Sequence, residues 1–214
     1  MKGDILILDN NHRKAANQAV TILLPEITKT KTKFVITVAG ESGAGKSEIA
    51  TSIAEKLKEN GVKTFIFQQD DYFVYPPKTN AKQREKDINW VGMQEVKLDL
   101  LDNELLQIKA GETVIDKPLV DFNADQIGKE TVNLNKYKVL IAEGTYTTSL
   151  KQADIRIFID RNINDTKESR KKRAREKQDK FLEKILLIEH EIILKHKTLA
   201  DIIVTKNFDA VKKG

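Results

Sequence analysis

The stretch that most constrains this chain is Gly40-Glu41-Ser42-Gly43-Ala44-Gly45-Lys46-Ser47, which matches G-x-x-x-x-G-K-[ST] at every fixed position. It lies where such a loop has to lie. Phe34 to Ala39 reads as a buried strand, and Ile49, Ala50, Ile53, Ala54 and Leu57 then recur at helical spacing until Asn60-Gly61 ends the run. Glycines let the backbone wrap tightly and aim successive N–H groups at phosphate oxygens, at the positive end of the helix that begins near Lys46. Lys46 would bridge the β- and γ-phosphates, and the Ser47 hydroxyl would be a ligand to Mg²⁺; both roles need a nucleoside triphosphate. Glu41, Ser42 and Ala44 contribute chiefly backbone, and Glu48 closes the expected ATP-contacting stretch.

From Phe34 onward, strand and helix patterns alternate. This predicts an α/β P-loop NTPase fold: a mainly parallel sheet of about five strands with helices on both faces. Val62–Phe67, Val114-Ile115, Val139–Ala142, Ile155–Ile159 and Asp201–Val204 are the other strand candidates, and Leu98, Leu101, Leu105 and Ile108 mark a helix ending at Gly111. Thr28 to Lys33 is the clearest seam. Residues 1–32 read as an N-terminal extension, with a short strand over Asp4–Leu8 and a helix over Asn11–Leu24, and residues 33–214 read as the main domain.

At 214 residues the chain has room for one full core. No apolar run reaches the roughly 18 residues of a membrane span, and Ile5–Leu8 is too short for a signal peptide. The absence of cysteine excludes disulfides, thiolate metal sites and cysteine nucleophiles, and makes a cytoplasmic setting the expectation. The 37 basic and 32 acidic side chains are mostly interleaved, which speaks against a nucleic-acid partner despite a net charge of +5. A homo-oligomer stays open.

Two carboxylate positions follow strands. Gln69-Asp70-Asp71-Tyr72-Phe73 follows Phe67 at the C-terminal edge of the sheet, where sites in open α/β sheets form. An acidic solvated turn is one reading; a general base for an acceptor hydroxyl, with a metal or water ligand beside it, is the other. Glu143 follows Val139–Ala142 and suits a residue that orders the water shell of Mg²⁺.

In succession, GESGAGKS, QDDYF, DKPLVDF, VLIAEGTY, ADIRIFID, an Arg-rich helix and LADIIV resemble the blocks of the uridine kinase and phosphoribulokinase family, over about residues 33–205. The resemblance implies an ATP-dependent, Mg²⁺-dependent kinase acting on a small hydroxylated acceptor. It makes Asp70 the base, Asp71, Tyr72 and Asp121 acceptor-side residues within an insertion at about 70–135, Glu143 a magnesium residue, and Arg170 and Arg173 part of a helical lid at about 161–180. Val91, Val120 and Asp125 depart from the uridine kinase pattern, so the acceptor's identity stays open.

Asn164 or Asp165, with Glu168, can cap a helix that puts Arg170, Arg173 and Lys177 on one face, either a solvated basic face or the lid itself. Further on, Glu189 falls inside the apolar arc of Phe181–His196, where it needs a basic partner or a place in the acceptor pocket. Trp90 and Tyr146 either stack on a ligand or pack internally. A guanine-nucleotide switch is the rival reading, since Asp125-Gln126-Ile127-Gly128 spells D-x-x-G; yet no clear strand leads into it, and Asn135-Lys136-Tyr137-Lys138 ends in Lys where guanine readout needs Asp.

Overall fold

Alternation along the central strands decides the layering. In β1 (Phe34–Gly40), Phe34, Ile36 and Val38 enter one apolar cluster while Val35 and Ala39 enter a second on the opposite face. β5 (Val139–Glu143) splits the same way, with Val139 and Ile141 on one side and Leu140 and Ala142 on the other. Strands buried on both faces need helices above and below. This is a computed structural model describing residues 1, 6–173 and 179–213, and the side chains of all of these except 172 and 173.

The elements in chain order are α1 (Asn10–Lys29), β1, α2 (Lys46–Glu59), β2 (Thr64–Gln68), α3 (Pro77–Lys86), α4 (Leu98–Lys109), β3 (Val114–Asp121), β4 (Gln126–Asn133), β5, β6 (Ile155–Ile159), α5 (Lys167–Arg173), α6 (Lys180–His196), β7 (Ile202–Val204) and β8 (Ala210–Lys212). The main sheet runs β2-β5-β1-β6-β7-β8, parallel except for β8. It has the expected five parallel strands and adds an antiparallel edge. α1 and α2 cover the first face. α4 and α6 cover the second.

Three expectations change. Leu6–Leu8 is irregular rather than a strand, and residues 4 and 5 lie outside the described residues. The helix of the N-terminal segment is longer than Asn11–Leu24, continues through Pro25, and is part of the core: Ala15, Ala16, Ala19, Val20, Leu23 and Ile27 share a cluster with Ile36, Ile53 and Ile141. Its small residues allow close approach to α2.

The third concerns Val114-Ile115. This strand pairs with β4 in a separate antiparallel ribbon, from Val114 opposite Asn133 to Asp121 opposite Gln126. A strand therefore does lead into Asp125-Gln126-Ile127-Gly128, but it belongs to this ribbon. Asp125 sits in its turn at φ 53°, with its carboxylate accepting from Lys78 N and from the Thr79 hydroxyl at 2.6 and 2.8 Å.

Candidate active site

β1 delivers the chain to the C-terminal edge of the sheet, and the loop turns there into α2. Gly43 and Gly45 have φ of 76° and 97°, which L side chains rarely adopt. Space forbids a side chain as well: a Cβ on Gly43 would meet Arg170 Cγ at 2.8 Å, and one on Gly45 would meet His12 Nε2 at 3.0 Å. The loop is thus held between α5 in front and α1 behind. Lys46 Nζ reaches back across it to donate to Glu41 O at 3.0 Å. The Glu41 side chain is buried, its carboxyl pushed up by burial, and Oε1 lies 2.5 Å from His190 Nδ1 on α6.

At the next strands, Glu143 stands in register with Val38 of β1 and Gln68 of β2. Ser47 Oγ donates to Glu143 Oε1 at 3.0 Å. Burial, then the negative charge of Asp70, push the Glu143 carboxyl up to about 7, against the pull of Lys46 and of the Ser47 bond. Two carboxylates and a hydroxyl beside a phosphate-shaped loop form a place that favours added positive charge. Among the described residues no cluster of three or more His, Asp or Glu side chains makes a protein-only metal cage.

Asp70 follows β2 within a 3-10 turn, Gln69–Tyr72, and faces a cleft of about 260 Å³. That cleft is continuous. Ser42, Gly43, Lys46, Ser47, Glu143 and Arg170 line one end, and Phe73, Asn80, Arg84, Phe122, Leu182 and Glu189 line the other. Arg170 is held by Ile163 O at 2.8 Å and by the Thr166 hydroxyl.

Three residues expected to line the acceptor pocket point elsewhere, Asp71 and Tyr72 because the tight turn sends successive side chains in different directions, and Asp121 because it caps the end of β3. Asp71 is buried, with Oδ2 3.0 Å from Lys117 Nζ and Oδ1 accepting from Val120 N at 3.0 Å; it pins the ribbon to the sheet edge and also pairs with the Met1 amine at 3.1 Å. Tyr72 is fully buried and donates to Glu104 Oε2 at 2.5 Å, with burial and that carboxylate pushing its phenol up. Asp121 accepts from Ala124 N at 2.9 Å and shapes the ribbon turn, while its neighbour Phe122 reaches the cleft.

Glu189 has a basic neighbour, an Arg84 nitrogen at 3.3 Å, and lines the cleft. Trp90 donates to Asn80 Oδ1 at 2.9 Å and packs near Tyr75, so it is framework. Tyr146 is buried, its ring near that of His196. In the turn before α5, Asn162 Oδ1 accepts from Asn164 N and Asp165 N at 2.9 and 3.2 Å, and Asp165 Oδ2 accepts in return from Asn162 N at 3.0 Å. The side chain of Arg173, with Arg175 and Lys177, lies outside the described residues.

Sequence reasoning missed His12, Arg84, Glu95 and His190 as parts of this region. Arg84 binds Glu95 through Nε and, at 3.1 Å, through a terminal nitrogen, and Glu95 also accepts from Asn80 and Gly92 N at 2.8 Å. No motif marks these residues.

The family model described as Phosphoribulokinase / Uridine kinase family matches residues 35–186. The chain belongs to this family. The uridine kinase of Ureaplasma parvum serovar 3 is 29% identical over 135 residues, covering 61% of this chain, which spans 64% of the length of that protein. The uridine kinase of Leuconostoc citreum is 25% identical over 183 residues, 80% of this chain and 86% of that protein. Among solved structures, a possible uridine kinase from Bacillus stearothermophilus superposes with a TM-score of 0.62 at 20% identity, covering 89% of this chain and 97% of the other, which shows the common fold. Within this family the departures have places: Val91 and Val120 are buried, and Asp125 sits on the ribbon turn. Among the described residues no helix is long and apolar enough to cross a membrane.

Proposed function

We propose that this protein transfers the γ-phosphoryl group of ATP to a hydroxyl of a small nucleoside-, sugar- or related metabolite. The observation that carries the reading is the single cleft joining the phosphate loop to Asp70 and on to a mixed apolar and polar end. Family membership agrees with it.

In this reading the loop amides and Lys46 bind and orient the triphosphate. Asp70 accepts the proton of the acceptor hydroxyl as its oxygen bonds to the γ-phosphorus and the bond to the β-γ bridging oxygen breaks, releasing ADP. Arg170, above Gly43, stabilises charge on the transferring group and excludes water. The raised carboxyl of Glu143, bonded to Ser47 and close in charge to Asp70, fits a divalent cation. Ser47 and Glu143 would hold Mg²⁺, with Asp70 nearby; when bound, the ion neutralises phosphate charge.

Acceptor-dependent ADP release tests the proposal, with a panel of nucleosides, sugars, amino alcohols, hydroxy acids and sugar phosphates. At least one should raise ADP release far above the acceptor-free rate. Release that no acceptor stimulates would leave an NTPase and contradict the reading.

A further inference from the structure

The end of the cleft away from the phosphate loop has a wall made from two elements that are distant in sequence: Pro77, Lys78 and Ala81 from the start of α3, and Phe122 from the tip of the β3–β4 ribbon. Phe122 is bracketed by two pins. On one side Val120 N donates to the buried Asp71 at 3.0 Å, which ties the ribbon to the turn that carries Asp70. On the other side Asp125 ties the ribbon tip to α3. Its Oδ1 accepts from Lys78 N at 2.6 Å and Thr79 N at 3.4 Å, and its Oδ2 accepts from the Thr79 hydroxyl at 2.8 Å. Lys78 Nζ returns across the same gap to donate to Asn123 O at 2.9 Å.

These bonds supply what the local sequence of α3 lacks. The N-cap residue is Pro76, which has no side-chain acceptor, so the first-turn N–H groups of Lys78 and Thr79 need a partner from elsewhere. A carboxylate is favoured at that end of a helix. Asp125 provides one from the ribbon turn, where it holds φ at 53°, a conformation Asp tolerates better than most residues. All four bonds lie at the surface, and the buried pin at Asp71 does not depend on them. Their contribution to global stability is therefore modest. What they fix is the separation between Phe122 and α3.

We infer that Asp125 is a positioning residue for acceptor binding: by joining the ribbon tip to the first turn of α3, it holds the wall formed by Phe122, Pro77 and Lys78 and so limits the size of the acceptor that fits the cleft. This rests on the phosphotransferase reading. Asp125 acts through the wall and does not itself touch the reacting atoms.

The test measures kcat and KM for the best acceptor, for bulkier analogues of it and for MgATP, in the wild type, Asp125→Ala, Asp125→Asn, Thr79→Val and the Asp125→Ala/Thr79→Val double variant, with melting temperatures alongside. Asp125→Ala should raise the acceptor KM roughly 10-fold and narrow the preference over bulkier analogues, with kcat and the KM for MgATP within about two-fold of wild type. Asp125→Asn keeps a carbonyl oxygen for the two amides and should recover most of the loss. Thr79→Val should shift the acceptor KM in the same direction by less, and the double variant should be no worse than Asp125→Ala, since both remove one link. An acceptor KM and size preference unchanged in Asp125→Ala, a rise in the KM for MgATP equal to that for the acceptor, or no recovery in Asp125→Asn would overturn the inference and leave the kinase intact. If no acceptor raises ADP release in the wild type, the phosphotransferase reading itself fails, and this inference fails with it.

Discussion

The two ends of the cleft are built by opposite strategies. The proposed donor end is local in sequence: eight consecutive residues between one strand and one helix supply its backbone groups, although α1, α5 and α6 pack against them. The acceptor end is assembled from distance, with Arg84 on α3, Glu95 in a 3-10 turn and Glu189 on α6 meeting across 105 residues. A contiguous loop can be conserved in function while the fold around it varies. An assembled cluster changes when any of its supports changes.

The sharpest way to break that contrast is at Lys46. Lys46→Ala should cut turnover roughly 10⁴-fold, about 5 kcal/mol of transition-state stabilisation, with little change in melting temperature; steady-state kinetics and calorimetry check both halves. Arg84→Met should do the reverse first. Leaving buried Glu95 without its cation should cost roughly 3–5 kcal/mol of stability, read as a lower denaturation midpoint before any kinetic effect is interpreted.

Glu143 supplies a pH prediction. Its folded-state value of about 7 lies above the ordinary carboxyl value, so the folded protein holds a proton that the unfolded chain releases. The associated stability is present below about pH 4.5 and is lost as pH rises through about 7. Ligand-free protein should therefore lose on the order of 3 kcal/mol from this group between pH 4.5 and 8. Urea titrations of Glu143→Gln should show a flatter pH dependence than the wild type; identical slopes would contradict the assignment.

The smallest effect concerns Tyr72. Tyr72→Phe removes the bond to Glu104 and should cost about 2 kcal/mol of stability while leaving acceptor KM unchanged, since this phenol faces the core. A raised KM would return Tyr72 to the acceptor pocket.

The same contrast governs what could be read from residues alone. The phosphate loop, its flanking strand and helix, and the parallel strands were legible because each is encoded by neighbours: glycines at fixed spacing, continuous apolar runs, helical periodicity. β4 was not, because Gln126-Ile127-Gly128-Lys129-Glu130-Thr131-Val132-Asn133 is mostly exposed and offers no apolar run. Asp71 and Tyr72 were placed on the acceptor side with Asp70 through the family resemblance, but a 3-10 turn separates the three: one side chain goes to the cleft, one to Lys117, one to Glu104. His12 lay in a segment read as an extension, yet α1 brings its ring against Gly45. The need of Glu189 for a basic partner followed from its position on α6; which basic residue answers it depends on tertiary assembly.

The central claim, that one cleft joins a nucleotide loop to an acceptor base, meets its most direct test at Asp70. In Asp70→Asn, MgATP affinity measured by titration calorimetry should stay within a few-fold of wild type while acceptor-dependent ADP release with the best acceptor falls at least ~100-fold. Turnover at the wild-type rate in a variant that still binds MgATP would contradict the account.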